Sequence, residues 1–426
     1  MTTTNEQTKL AVWGTSWLAK PLRSMLLKQL AKINYGCLVF SEGATLTTCG
    51  TAKEGEPKAM IRVLRDSVWE RTVFGGTVGA AESYMDADWS TDDLVAVVRI
   101  FAGNRDIMEG MEGGLALLKW PVLKVWHAMR RDTIAQARKN ISAHYDLGND
   151  FFDAWLDPSM AYSCGIFTRE DSTMLGASLR KIYALCEKLD LTSKDHLLEI
   201  GSGWGALAIF AASNYGCKVT TATISRNQYN HVRAEVQRLK LDHLITPVFC
   251  DYRKLTGKFD KVVSVEMIEA VGHHYLDTYF EKISDLLTPN GIAAIQAITI
   301  RDQTYDSAIR NVDFIQRYIF PGSNIPSVTR MMESVRDKTD MVLSGFDDIT
   351  DHYCKTLREW RAAFWRAEPR LRSLGLNDHG LRMWDYYFAY CEGGFAERVI
   401  GVCQYVLTKP KYNAQIKFGK SLGGVK

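Results

Sequence analysis

One short stretch, in which an apolar strand runs into a glycine-rich turn, constrains the fold of this chain most strongly. Residues 197–206 read LLEIGSGWGA, so an apolar run ends in Glu199 and three glycines follow at alternating positions: Gly201, Gly203 and Gly205. Because glycine carries no side chain, such a turn lets the backbone pass close to a bulky ligand that lies over the ends of the strands. The spacing differs from that of dinucleotide turns and phosphate loops. For this motif alone, an ordinary tight strand–helix turn is the alternative.

The sequence after about residue 141 alternates between strand and helix patterns. Five runs that are apolar through most of their length predict strands: His196–Ile200, Lys218–Ile224, Ile245–Cys250, Lys261–Met267 and Ile292–Ile300. Helical patterns lie between them, including Arg226–Leu239 and Tyr275–Leu287. Continuous apolar strands are typical of a parallel sheet that is buried on both faces, so we expect a doubly wound α/β domain. A last strand is predicted at Arg398–Thr408, after an aromatic-rich insert over 301–395 that suits the roof of a pocket.

The length of the chain, 426 residues, predicts more than one domain, because single cores rarely exceed about 250–300 residues. We expect four regions: a smaller N-terminal α+β domain (1–118), a basic connector helix (119–140), the main α/β domain (141–416) and a loose tail (417–426). In the first region, strands are predicted at Cys37–Phe40, Ala44–Thr48 and Met60–Leu64. Helices are predicted there at Leu18–Ile33, Ala80–Met85 and Asp92–Ala102.

Basic residues cluster on the predicted connector: Lys119, Lys124, Arg130, Arg131, Arg138 and Lys139. A basic amphipathic helix can lie on an anionic membrane surface. The alternative is an inter-domain helix with a solvated face.

Composition excludes several classes of protein. The net charge of +3 does not indicate a nucleic-acid partner. Nine cysteines without a Cys-x-x-Cys pair favour reduced thiols over a disulfide framework, and indicate no metal site. The polar N-terminus lacks an apolar signal core, and no run of about 18 apolar residues occurs, so we expect a cytoplasmic protein whose membrane contact is peripheral.

The glycine turn is typical of enzymes that bind S-adenosylmethionine (SAM). Its three glycines offer an approachable backbone, and Glu199 offers an acceptor for the amino group or the ribose of this ligand. Other strand ends carry further groups that suit SAM. Asp251 and Tyr252 follow the third strand, where they could offer an acceptor and an apolar face to adenine; Asp251 could instead cap the next helix. Many SAM enzymes place an acid at the end of the second strand to bind the ribose. Here uncharged groups take that place: Thr223, Ser225 and Gln228.

Six separated stretches together resemble one known family. They are ISAHYDLGNDFFDAWLDPSMAYSC (141–164), LLEIGSGWGALA (197–208), ATISRNQ (222–228), CDYRKL (250–255), VSVEMIEAVGHHY (263–275) and DFIQRYIFPGSNIPSV (313–328). In this order and spacing they are similar to the cyclopropane fatty acid synthases, and FGGTVGAAESYMDADW (74–89) extends the likeness loosely. The resemblance implies a doubly wound, Rossmann-like SAM-methyltransferase sheet with an aromatic insert.

The resemblance also implies the activity. Members of this family transfer the methyl group of SAM to the cis double bond of an unsaturated acyl chain in a membrane phospholipid. Some relatives form cyclopropane rings and others leave a methyl branch. For this chain we expect a cyclopropane ring, and a methyl- or methylene-branched acyl chain is the alternative. A non-catalytic SAM- or lipid-binding module and a methyltransferase for small molecules or nucleic acids are the remaining hypotheses. The chain is compatible with a homodimer, although no motif specifies an oligomeric state.

The resemblance further implies roles for particular residues. A bound bicarbonate ion is expected to act as the base, at the positions of Cys164, Glu269, Gln296, Ile298 and Tyr353. Tyr162 and Ser163 match residues that contact SAM. The rings of Tyr318 and Phe320, together with Tyr353, are candidates to stabilise a cation on the acyl chain.

Two positions depart from the pattern of the best-known bacterial members. Gln296 stands where those enzymes have histidine, and Ser202 where many have cysteine. Glutamine can donate a hydrogen bond but cannot titrate, so Gln296 leaves the product less determined than the reaction class. Considered alone, Cys164 would be a small buried residue, Glu269 a helix-surface acid and His144 a structural hydrogen-bonding group beside Asp146.

Overall fold

Two separate sheets organise the described part of the chain. The computed structural model describes residues 19–105, 148–169 and 172–413. The chain divides into one unit over Met1–Leu118 and a second over Lys119–Lys426. The predicted connector helix, His144, Asp146 and the predicted tail lie outside the described residues.

The first unit contains a four-stranded sheet. Its strands are β1 (Cys37–Glu42), β2 (Thr45–Gly50), β3 (Lys58–Val63) and β4 (Trp89–Thr91), in the order β2-β1-β3-β4. Its helices are α1 (Ala19–Leu30), α2 (Ser67–Met85) and α3 (Leu94–Gly103). The three predicted strands are present, whereas β4 has only three residues and carried no pattern. The prediction found only the end of α2, because the helix bends at Gly76 (φ 58°) and its apolar pattern changes phase there.

The second unit contains a seven-stranded sheet. Its strands are β5 (His196–Ile200), β6 (Lys218–Thr223), β7 (Ile245–Phe249), β8 (Phe259–Val265), β9 (Leu287–Ile300), β10 (Val342–Asp348) and β11 (Ile400–Thr408). The order is β10-β11-β9-β8-β5-β6-β7. Strands β5 to β9 pair in parallel, and β11 is antiparallel to both of its neighbours. All six predicted strands are confirmed.

The prediction missed β10 and the first part of β9. Strand β10 lies at the edge of the sheet with Val342 57% exposed, so its sequence lacks the apolar pattern of a buried strand. Strand β9 begins at Leu287 rather than Ile292 and includes Pro289 and Gly291, which read as a turn. A shift in the pairing with β8 accommodates these residues.

Helices cover both faces of the large sheet. They are α4 (Asn149–Asp153), α5 (Met174–Lys188), α6 (Ala206–Tyr215), α7 (Arg226–Arg238), α8 (Leu276–Leu286), α9 (Asp302–Ala308), α10 (Val328–Lys338), α11 (Thr350–Arg366), α12 (Glu368–Ser373) and α13 (Asp378–Ala396). Successive strand residues point to opposite faces. Leu197 accordingly packs into the core formed with α5, α6 and α7, whereas Leu198 packs into the core formed with α8 and α10. This arrangement is the expected doubly wound fold.

The strand order reverses between β5 and β8. From β5 the chain builds outward through β6 and β7, and from β8 it builds in the other direction through β9. Open α/β sheets bind their ligands in the crevice outside the carboxyl ends of the strands at such a reversal. The glycine turn follows β5 directly and Glu266 follows β8 directly, so both lie at this crevice.

Candidate active site

The three glycines of the turn all have positive φ angles but serve different purposes. Gly201 (φ 94°) and Gly205 (φ 93°) adopt conformations that L-residues rarely reach. A Cβ atom at Gly201 would lie 3.0 Å from Cγ of Met267, so that position is tightly packed. A Cβ atom at Gly203 (φ 48°) would meet no atom within 4 Å. The turn therefore leaves open space beside Gly203, as close approach of a ligand to this backbone requires.

Glu199 lies beneath this turn on the buried face of β5 that also carries Leu197. It is 3% exposed and accepts a hydrogen bond from Oγ1 of Thr221 (2.5 Å). Burial raises the pKa of its carboxyl to about 8, and the hydroxyl of Thr221 and the nearby Lys181 ammonium act against that rise. Glu199 thus supports the turn from within the sheet.

Three polar residues at the end of β6 bond to one another. Oγ1 of Thr223 donates to Oε1 of Gln228 (2.8 Å), and Oγ of Ser225 accepts from the Gln228 backbone N–H (3.3 Å) at the start of α7. All three are buried. The structure therefore brings the predicted ribose-binding residues together as one pre-formed cluster.

Asp251 has a structural role in this conformation. Its Oδ1 accepts from the backbone N–H of Arg253 (3.0 Å), and its Oδ2 accepts from the guanidinium group of Arg253 (2.7 Å). The residue is 1% exposed. Asp251 caps the short 3-10 helix Tyr252–Lys254. This contact agrees with the alternative that Asp251 caps the next helix instead of binding adenine. The ring of Tyr252 packs edge-on against Tyr279, with centroids 5.6 Å apart.

Two carboxyl groups, those of Glu266 and Glu269, occupy the region expected for bicarbonate. The sequence predicted Glu269 as a site residue but not Glu266. The other four residues expected there each bond to one of these two groups. The carboxylate of Glu266 accepts three hydrogen bonds: from the backbone N–H of Cys164 (2.9 Å) and Nε2 of Gln296 (2.7 Å) at Oε1, and from the hydroxyl of Tyr353 (2.7 Å) at Oε2. The backbone of Glu266 has φ 47°, which is strained for a residue with a side chain. Burial raises the pKa of this carboxyl, and its three donors together with the Lys181 ammonium act against the rise.

Glu269 is the second carboxyl group. Its Oε1 accepts from the backbone N–H of Ile298 (2.5 Å). Its Oε2 is buried and has no hydrogen-bond partner among the described residues. Burial, followed by the charge of Glu266, raises the pKa of Glu269 to about 8. Glu269 is therefore protonated at neutral pH, and its unpartnered oxygen can hold the proton.

Lys181 of α5 contributes a buried cation to this region. It is 3% exposed, and its Nζ donates to Oγ of Ser163 (2.6 Å). Burial lowers the pKa of its ammonium, whereas the charges of Glu266, Cys164, Asp157 and Glu199 raise it. Lys181 thus faces the same group of residues as Glu266 and fixes the hydroxyl of Ser163.

A chain of side-chain amides connects Glu266 to a second buried lysine. Oε1 of Gln296 accepts from Nε2 of Gln404 (2.8 Å), the residue paired with it across β9 and β11. Oε1 of Gln404 in turn accepts from the ammonium of Lys188, which also pairs with Asp347 (2.5 Å). An ammonium only donates, so it orients both amides. Gln296 must therefore present its N–H₂ group to Glu266.

Cys164 is inaccessible and inert in this arrangement. Its side chain is 0% exposed, and burial followed by the charge of Glu266 raises the pKa of its thiol. A reactive cysteine needs a lowered thiol pKa. Cys164 contributes its backbone N–H, as above, rather than a nucleophile.

Aromatic rings enclose the site. The ring of Tyr162 lies 5.2 Å from Trp360 and 6.4 Å from Phe320, and its hydroxyl donates to that of Tyr387 (2.9 Å). The structure thus groups Tyr162 with Phe320. Tyr318, the other candidate for cation stabilisation, packs instead against Phe314 (5.5 Å).

The ring of Tyr353 is held by two neighbours. It stacks on Phe395 at 4.3 Å and meets Trp360 edge-on at 6.1 Å. The hydroxyl of Tyr353 donates to Glu266, and its ring packs against Trp360 and Phe395. Tyr353 therefore contacts both the carboxylate and the surrounding aromatic side chains.

Sequence reasoning missed four polar residues of this region, although each carries a signal. Glu266 lies near the end of the predicted strand Lys261–Met267, on the side of the sheet where ligands bind. Lys181 lies four residues from Ala177 and from Leu185, on the apolar stripe of its helix. Lys188 is buried in the last turn of the same helix, and Gln404 is polar within an apolar run.

The fold and the site together define a SAM-dependent methyltransferase. The family model described as mycolic acid cyclopropane synthetase matches residues 132–405. The chain belongs to this family of methyltransferases. It is 36% identical to the tuberculostearic acid methyltransferase UfaA1 of Mycobacterium tuberculosis, over 87% of either chain. It is 34% identical to the cyclopropane-fatty-acyl-phospholipid synthase of Escherichia coli K12, over 85% of this chain and 91% of that enzyme.

Solved structures agree with the family. The chain matches the mycolic acid cyclopropane synthase CmaA1, solved with SAH and CTAB, with a TM-score of 0.61 and 29% identity. It matches the cyclopropane synthase MmaA2 of Mycobacterium tuberculosis with a TM-score of 0.60 and 28% identity. Each match covers 64% of this chain and 98% of the other.

Two further properties concern the described residues only. None of their helices is both long and apolar enough to cross a membrane. No group of three or more His, Cys, Asp or Glu residues among them could hold a metal ion.

Proposed function

We propose that this enzyme transfers the methyl group of SAM to the cis double bond of an unsaturated acyl chain in a membrane phospholipid and closes a cyclopropane ring. One observation carries the proposal: the open space beside Gly203 and the carboxylate centre of Glu266 lie at the ends of adjacent strands, β5 and β8. A methyl donor in the turn would lie beside a group able to accept a proton.

The surroundings of the centre suit an alkene acceptor. An alkene is a weak nucleophile, so the two reactants must be held in line and water excluded. Methyl transfer leaves positive charge on the acyl chain, which aromatic faces can stabilise. Tyr162, Phe320 and Tyr353 provide such faces, and an acyl chain matches their apolar character.

A methyl- or methylene-branched acyl chain is the second candidate product. Two observations favour it: UfaA1, at 36% identity, is named for tuberculostearic acid, and Gln296 stands where the best-known ring-forming bacterial enzymes have histidine. The ring and the methylene branch need the same methyl transfer followed by loss of a proton from the transferred methyl group, and the methylene branch needs a hydride shift along the acyl chain before that loss. A saturated methyl branch needs, in addition, a separate reductant that supplies a hydride to the methylene product.

The phospholipid substrate implies contact with a membrane surface. We propose peripheral binding at the cytoplasmic face through the N-terminal region and the basic connector. Each basic residue near an anionic surface contributes about 1 kcal/mol, and salt screens it. Neutralising Arg130, Arg131, Arg138 and Lys139 should therefore weaken sedimentation with anionic vesicles. Binding that neither the mutations nor salt changes would leave the solvated inter-domain helix as the better interpretation.

Mass spectrometry of lipid products tests the function. The purified enzyme is incubated with SAM carrying a deuterated methyl group and with vesicles of unsaturated phospholipid. We expect labelled acyl chains with one additional carbon, and NMR of the extracted lipid separates ring from branch. If SAM binds but no labelled acyl chain forms from any unsaturated phospholipid, the non-catalytic or small-molecule hypotheses replace this one.

A further inference from the structure

The groups expected to hold bicarbonate already hold a carboxylate of the chain itself. The backbone N–H of Cys164, the amide of Gln296 and the hydroxyl of Tyr353 all donate to Glu266. Bicarbonate is an anion that needs the same kind of donors, and a second anion here would be repelled by the first. In this conformation the residues do not fit bicarbonate, because its donors are taken.

We propose that the carboxylate of Glu266 is itself the base of the reaction and takes the place of bicarbonate. This inference rests on the proposed methyl transfer to an alkene. A carboxylate offers about four acceptor positions. Three are used by Cys164, Gln296 and Tyr353, which leaves one, on Oε2, for a proton from the substrate.

The backbone geometry supports this role. Glu266 directly follows β8 at the reversal of strand order, and its positive φ of 47° fixes the direction of its side chain. Strain of this kind persists where the surroundings enforce it, commonly at functional sites. The residue as a whole is half-buried rather than enclosed in the core.

The charges around Glu266 favour its ionised form. Three donors bond to it, and the charge of the buried Lys181 ammonium acts to lower the pKa of its carboxyl. Glu269, whose raised pKa of about 8 keeps it protonated at neutral pH, adds no negative charge there. The two carboxyl groups therefore have different surroundings: Glu266 accepts from three donors, whereas Glu269 accepts from one backbone N–H. Different surroundings separate the roles of neighbouring carboxyl groups into base and acid.

The reaction balances with Glu266 as the acceptor. The methyl–sulfur bond of SAM breaks as the alkene π electrons form a new carbon–carbon bond, which leaves neutral S-adenosylhomocysteine and a carbocation. Oε2 of Glu266 then removes a proton from the new methyl group, and the electrons of that C–H bond close the ring. The neutral acid returns its proton to water when the product leaves.

The test uses the full-length enzyme in rigorously CO₂-free buffer. We expect the native enzyme to form product at its full rate there. Glu266→Gln keeps the shape of the side chain but removes the base, so product formation should fall by about 100-fold or more while SAM binding persists. Glu187→Gln is the matched control, since Glu187 also accepts from a tyrosine hydroxyl (Tyr215, 3.0 Å) outside the site, and it should be unchanged.

A second variant asks whether Glu266 occupies the place of the ion. Glu266→Ala should be inactive in CO₂-free buffer and regain activity on addition of bicarbonate, because the three donors become free. A titration with ¹³C-labelled bicarbonate, followed by NMR, should show binding to this variant and none to the native enzyme. This binding readout does not need turnover, and SAM affinity verifies that each variant folds.

Distinct results would overturn the inference. If the native enzyme loses activity without bicarbonate and regains it on addition, the ion is the base. Product formation by Glu266→Gln at the native rate would also exclude the role, as would bicarbonate binding to the native enzyme at this site. If no unsaturated lipid is methylated, the proposed function fails, and the titration still decides whether Glu266 fills the anion site.

Discussion

Lys188→Met tests the chain of amides that reaches Glu266. The ammonium of Lys188 is 4% exposed, and it bonds both Asp347 and Gln404. Removing one partner of a buried ion pair generally costs about 3–5 kcal/mol. The Asp347 side chain keeps 21% exposure, so water can solvate part of its charge. We therefore expect the lower end, a loss of about 3 kcal/mol in the free energy of unfolding.

The same substitution should affect catalysis through orientation alone. Without the ammonium, the amide of Gln404 can rotate, and Gln296 is no longer forced to present its N–H₂ group to Glu266. The loss of one hydrogen bond to a charged group, about 1.5 kcal/mol, corresponds to roughly a tenfold fall in the rate of product formation. The affinity for SAM should not change, because the glycine turn lies on another strand.

Urea denaturation and steady-state rates of product formation measure both effects. Arg238→Met is the control, because Arg238 forms an exposed pair with Glu235 (65% and 29% exposed) and should cost at most about 1 kcal/mol. Adding Asp347→Asn to Lys188→Met should recover part of the lost stability by removing the uncompensated charge. Native stability and native rate in Lys188→Met would refute the proposed orientation of Gln296.

Three other substitutions separate ligand binding, catalysis and stability. Gly203→Ala places a methyl group in open space and should cost only about 1 kcal/mol of stability while weakening SAM at least tenfold by calorimetry; Gly201→Ala should instead destabilise the fold by about 2 kcal/mol. Tyr353→Phe keeps the stacked ring but removes a donor to the carboxylate, so the rate should fall by about 10- to 100-fold with SAM affinity unchanged, whereas Tyr215→Phe should keep the native rate. In the unfolded chain the carboxyl of Glu269 has its ordinary pKa of 4.5, and in the folded protein its pKa is about 8. The free energy of unfolding should therefore fall as pH rises between these values. Urea denaturation of Glu269→Gln should show a smaller fall, and the same pH dependence in variant and native enzyme would contradict the raised pKa.

The fold of the larger unit could be predicted because its strands are buried on both faces. Such strands are continuously apolar and separated by helices, as Lys261–Met267 and Ile292–Ile300 show in the sequence. The edge strand β10 escaped prediction because its apolar residues, such as Val342 and Phe346, are exposed and are interrupted by Ser, Gly and Asp, so neither an apolar run nor an alternation marks the strand. Edge position is a property of the assembled sheet and is not encoded locally.

The site could be predicted only as far as the family resemblance reached. Gln296, Ile298 and Tyr353 were named because their positions match a site of the family, although Gln296 stands where the best-known members have histidine. The structure places these residues around two carboxyl groups. Glu266 lay within the quoted EMIEAVG motif, yet its role depends on three donors that lie 30, 87 and 102 residues away in the chain. Contacts over such separations cannot be read from the spacing of residues, so the donors could be named while the group that they bind could not.

The proposed replacement of a bound ion by a carboxylate of the chain has a thermodynamic consequence. A free ion must be captured from solution in each cycle and loses translational freedom on binding, whereas a side chain brings its charge already in place. The chain must instead stabilise the charge of its own carboxylate, and the structure contains groups that act in this direction: three hydrogen-bond donors and the Lys181 ammonium. Glu269 completes the balance by remaining neutral, since two adjacent carboxylates would repel each other. The charge and the backbone strain of Glu266 do not favour the stability of the fold. The proposed role of Glu266 as the base explains why they are present.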